Sequence, residues 1–108
     1  MDSMNGHDAY AMRYEGLAKS VLTSAGGSPD NQRYADADMY KQGFVEKPNE
    51  EGRQALSAIF VKMILDHPNH PKTDDIKELD EKVWTADTLD EINKLIDQGI
   101  VIARDLGY

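Results

Sequence analysis

The chain contains no cysteine. That excludes a disulfide framework, a cysteine-ligated zinc or iron–sulfur centre, and a thiol nucleophile. No apolar run approaches the roughly 20 residues needed to span a bilayer. The opening stretch "MDSMNGHDAY" has neither the basic nor the apolar region of a secretory signal, so the expected location is cytoplasmic. Positive charge is scarce: 12 Lys and Arg stand against 20 Asp and Glu, a net charge of −8. Such a chain repels phosphate backbones, and direct nucleic-acid binding is not expected. There is no internal repeat. Gly26-Gly27-Ser28 is too short to cradle phosphate, and no serine–histidine pair stands out. No cofactor is implied.

What remains fits one domain of 108 residues, long enough for a modest core without staples. Its acid is unevenly placed. From Asp66 to Asp97 there are ten acidic residues against four lysines. A field of that sign steers a basic partner, although solvated acidic helices are also common.

Apolar spacing predicts an all-α fold, a small bundle of three to four helices. A tail covers residues 1–7. A first helix runs over 8–25, with Ala11, Tyr14, Ala18, Val21, Leu22 and Ala25 on one face and Gly26-Gly27 as its stop. Residues 26–49 form a long, partly ordered connection, in which Tyr34 to Gln42 suits a short helix. A second helix spans 50–66. Asn49 caps it, and Leu56, Ile59, Phe60, Met63 and Ile64 recur at helical intervals. A third covers 74–85, with Ile76, Leu79, Val83 and Trp84 as its buried stripe and Glu78–Lys82 as an i,i+4 pair. The fourth covers 88–106. It opens on the capping box "TLDE", with Thr88 accepting from the Glu91 amide and Glu91 reaching back. The alternative is an α+β fold. Ile100-Val101-Ile102 is β-branched and follows Gly99, so residues 100–103 offer a strand that would pair with residues 43–46.

Four constellations invite a chemical reading. His67 and His70 have the spacing of a metal pair on a helix, but two prolines interrupt it. They are weak metal candidates, better read as loop residues near a helix C-terminus, where positive charge is favoured. Asp36-x-Asp38 begins like a calcium loop and then fails: Lys41 stands at position six and Lys47 at position twelve. Arg33, Tyr34, Tyr40, Lys41 and Phe44 combine rings with cations, as a nucleotide-like ligand site requires. Their plainer role is to cap the core.

The last constellation is a helix surface. Val61, Leu65, Leu95, Val101 and Ile102 lie off the main stripes, so a second apolar face is available for a partner. With Asp74, Asp75, Glu78 and Glu81, Val101 and Ile102 form the candidate partner-binding set. The expected function is a non-enzymatic acidic protein-binding module, prone to homo-oligomerisation and suited to a basic protein partner. By class analogy it is an inhibitor, a bacterial or phage immunity or counter-defence factor, or an assembly subunit. A small-ligand binder using the loop at 33–44 is the alternative.

Overall fold

A computed structural model describes residues 6–23, 34, 36–44 and 47–108. Five helices lie within them: α1 (Gly6–Leu22), α2 (Ala37–Gly43), α3 (Glu50–Asp66), α4 (Thr73–Thr85) and α5 (Leu89–Asp105). There is no strand among the described residues. The all-α class therefore stands, with one helix more than the spacing predicted. Ala25, Gly26-Gly27-Ser28, Arg33, Val45 and Glu46 lie outside the described residues.

The added helix is α2, cut from the predicted connection. Asp36 caps it, its carboxylate accepting from the Asp38 amide at 2.9 Å. The first carboxylate of Asp36-x-Asp38 is thus a helix cap. A seven-residue helix does not hold alone. Burying Tyr40 and Phe44 completely, at roughly 1.5–3 kcal/mol each, is what ties it down.

The α+β alternative is overturned. Residues 100–103 continue α5, because Ile96, Gly99 and Ala103 keep the buried face of one helix. Gly99 does not end the helix. A Cβ there would sit 2.8 Å from the Phe60 ring and 3.2 Å from Leu17, so glycine leaves room for those core side chains against α5.

The N-caps of α3 and α5 follow the sequence closely, while Lys72, at the start of α4, makes no side-chain cap bond. Asn49 accepts from the Gly52 amide at 2.8 Å. Thr88 accepts from the Glu91 amide at 3.1 Å, and Glu91 reaches back one residue further than a standard box, to the Asp87 amide.

Four helices form a ring of contacts: α1 on α3, α3 on α4, α4 on α5 and α5 on α1. The short α2 lies across α1 and α3. Inside are Tyr14, Leu17, Val21 and Leu22 from α1, Leu56, Ile59, Phe60 and Met63 from α3, Ile76, Leu79 and Val83 from α4, and Ile92, Leu95 and Ile96 from α5. Leu95, expected off the stripe, is core. Among the described residues no helix is long and apolar enough to cross a membrane.

Candidate functional site

The inward face of α3 is taken by Ala55, Leu56, Ile59, Phe60 and Met63. On a 3.6-residue helix the opposite face then falls to Gln54, Ala58, Val61 and Leu65. Leu65 is 70% exposed and Val61 39% exposed. From the adjoining helix Trp84 joins them, 46% exposed. These side chains line one hollow of about 430 Å³, with Tyr34, Ser57 and Lys62 completing the wall. Two ties fix α3 and α4 beneath it. Ser57 Oγ donates to Asp80 at 2.5 Å, and Arg53 donates to the Val83 carbonyl at 2.5 Å, one residue from Trp84.

The predicted partner-binding set is split. Asp75, Glu78, Val101 and Ile102 meet in a trough of about 330 Å³ between α4 and α5, although Asp75 and Glu78 lie more than twenty residues from Val101 and Ile102 in sequence. Asp74 and Glu81 are exposed on α4 outside that lining. Ile102 is 8% exposed and belongs to the core, so only Val101, at 57%, offers apolar surface. The trough is not acidic. Lys72 and Lys82 stand among its acids, with Lys82 3.2 Å from Glu78 and Lys72 4.0 Å from Asp105. Lys82 and Gln98 also line a second hollow of about 230 Å³ further along the same two helices.

Of the candidate ligand set, the four described residues, Tyr34, Tyr40, Lys41 and Phe44, do not face one site. Tyr40 and Phe44 are fully buried, and their rings pack 5.1 Å apart, centre to centre. The Tyr40 hydroxyl donates to Asn93 on α5. Burial pushes its pKa up to about 12, against the pull of the Asn93 bond. It is a neutral structural phenol. Tyr34 lies at the α3–α4 hollow, and Lys41 is exposed on α2. Tyr40 and Phe44 take the plainer role of capping the core, a choice their sequence spacing leaves open because it does not reveal which way α2 faces.

His67 and His70 sit 6.1 Å apart, edge to face. His70 Nδ1 accepts from the Lys72 amide at 3.0 Å, and His67 meets the edge of Tyr108. Among the described residues no three His, Cys, Asp or Glu side chains gather as metal ligands do. Asp66 beside them accepts from Lys62 and from the Tyr108 hydroxyl. Burial pushes the Asp66 carboxyl up, but those two donors and the Lys62 charge outweigh it and hold it below its ordinary value. The histidine segment is a polar helix end closed by Tyr108.

Comparison with protein-family models, with curated proteins and with solved structures finds no match to this chain. The site reading therefore rests on geometry. Helical spacing puts Trp84 on the buried stripe of α4, whereas it is half-exposed. It lies one residue, or about 100°, round the helix from Val83, and that offset is the signal that places it at the edge of the stripe.

Proposed function

We propose that this chain is a non-enzymatic protein-binding module whose contact surface is the α3–α4 face. The observation that carries the reading is the meeting of Val61, Leu65 and Trp84, from two helices, around one exposed hollow. Isolated apolar side chains on a surface are ordinary, whereas a contiguous group rimmed by polar residues marks an interaction site. Tryptophan is among the residues that most often dominate binding energy. Met12 on α1 and Val101 on α5 are also exposed, but each stands apart from this group. The non-enzymatic part rests on the sequence, which has no thiol nucleophile and no catalytic signature.

The face separates the two contact modes that the sequence suggested. An acidic contact would use Asp74, Glu78 and Glu81 and take a basic partner. Of these only Glu78 lines the α4–α5 trough, where Lys82 stands 3.2 Å from it, so the acids do not gather into one patch there and the apolar mode is favoured. Nucleic acid remains an unsuitable partner for a chain of charge −8.

The test is a quantitative pull-down from the cell that encodes the chain. Wild type is compared with Leu65→Glu and with a Glu78→Lys, Glu81→Lys double variant, at low and high salt. Loss of capture with Leu65→Glu, retained at high salt in wild type, supports the apolar face. Loss confined to the double variant and to high salt assigns the contact to the acids and removes this reading.

A further inference from the structure

Resting on the α3–α4 face as the contact surface, we propose that its occupant is a second copy of this chain, with the two α3 helices antiparallel across a two-fold axis between Ala58 and Val61. The first argument is spacing. Gln54, Ala58, Val61 and Leu65 step by four, three and four residues, the pattern that keeps one seam of a helix against another. Gln54, Val61 and Leu65 are exposed and Ala58 is half-buried, so the seam faces outward with a small residue near its middle. That is where a helix from outside can approach most closely.

The second argument is charge. A two-fold contact sets a patch against its own copy, so any net charge on the patch meets the same sign. In a chain of −8 this disfavours any face rich in acid. The outward faces of α4 and α5 carry Asp74, Glu78, Glu81 and Asp90. Residues 52–65 contain no Asp or Glu, and the four seam residues and Trp84 are uncharged. The seam is thus a surface on which the acidic chain can meet itself without an acid at its centre.

Charge also selects the direction. Glu50 and Glu51 lie in the first turn of α3. A parallel pairing would bring the two sets together. An antiparallel pairing separates them and places each set near the other copy's C-terminal turn, where the one acid, Asp66, is already paired with Lys62. The two helix dipoles then oppose each other favourably. In this register Gln54 faces the position of Leu65 in the other copy, and Ala58 faces that of Val61. The seam from Gln54 to Leu65 is only about 16 Å long, which makes the dimer small and concentration-dependent.

Sedimentation velocity of the full chain from about 10 μM to about 1 mM tests this. The sedimentation coefficient is expected to climb towards that of a dimer in wild type and in Val101→Glu. It stays at the monomer value in Leu65→Glu, which sets an acid on the seam of both copies. The register is read by cross-linking, since the chain has no cysteine. Gln54→Cys mixed with Leu65→Cys is expected to oxidise to a mixed dimer at least about tenfold faster than Gln54→Cys with itself. A wild type that remains monomeric at every concentration overturns the proposal, as does a dimer that Val101→Glu breaks and Leu65→Glu spares. Faster oxidation of Gln54→Cys with itself overturns the antiparallel arrangement. If wild type is monomeric yet Leu65→Glu still abolishes capture in the pull-down, the self-contact fails and the α3–α4 face survives as a site for another protein.

Discussion

The joint between α2 and α3 and the joint between α4 and α5 are built in opposite ways. At the first, Gly43 and Gly52 let two backbones touch. A Cβ added to Gly52 would lie 2.6 Å from both the Gly43 carbonyl oxygen and the Phe44 ring. At the second, α4 and α5 leave open hollows of about 330 and 230 Å³ along their length, walled by Lys72, Lys82, Glu91, Lys94 and Gln98. One joint has no room for a methyl group, while the other has room for waters and long flexible side chains. Tight backbone contact is what anchors a seven-residue helix that cannot stand alone. The α4–α5 joint can stay open because both helices are long and already bury Ile76, Leu79, Ile92 and Ile96. The exposed apolar group belongs to neither joint. It stands on the far side of α3, the helix that α1, α2 and α4 all pack against.

The contrast is broken most severely by adding a methyl at the tight joint. Gly52→Ala must displace backbone, so the expected loss is roughly 3 kcal/mol, or more than about 10 °C in melting temperature. Gln98→Leu in the open joint is expected to change stability by less than about 0.5 kcal/mol. Equal losses in thermal melts would show that the two joints are packed alike. Next in size is Tyr40→Phe. It keeps the buried ring and removes only the hydroxyl donated to Asn93, which should cost about 1 kcal/mol in urea unfolding. A loss near zero would mean that this hydroxyl does not tie α2 to α5.

Trp84→Ala tests whether the tryptophan is surface or core. A buried aromatic truncated in this way costs about 3–5 kcal/mol. At 46% exposure Trp84 should cost less than about 1 kcal/mol. A large loss would return it to the core and undermine the docking face.

The smallest effect concerns Asp66. Its folded pKa lies below the ordinary 3.8, so it contributes stability above that pH and loses it as pH falls through the lower folded value. Asp66→Asn is expected to flatten the stability-versus-pH curve between about pH 5 and about pH 2. The carboxylate is partly exposed, so the difference should stay below about 1 kcal/mol. Identical curves for the two proteins would remove the linkage.

Much of the architecture was legible in the residues. The period of Leu56, Ile59, Phe60 and Met63 marked α3, and Asn49 and Thr88 marked helix starts where the caps are found. Val61 and Leu65 were recognised as lying off the stripe, and both are exposed. The aromatic set of the connection allows two readings, and the plainer one, capping the core, is where Tyr40 and Phe44 lie. Tyr40 and Phe44 sit four apart, as ligand-clamping rings or buried rings equally would, and only the docking of α2 turns them inward. Gly43 and Gly52 gave no signal, because close approach of two backbones nine residues apart is invisible to a local pattern.

Local chemistry therefore determined the helices, their caps and the acidic bias of the C-terminal half. Those properties depend on neighbours within about one turn of the chain. Tertiary packing decided the rest: that α2 is pinned, that the α4–α5 trough mixes its signs, and that Val61, Leu65 and Trp84 come together in the open. A periodic stripe tells which side of a helix is apolar, but its edge residues are buried only as far as the next helix reaches. Trp84 lies just past that reach.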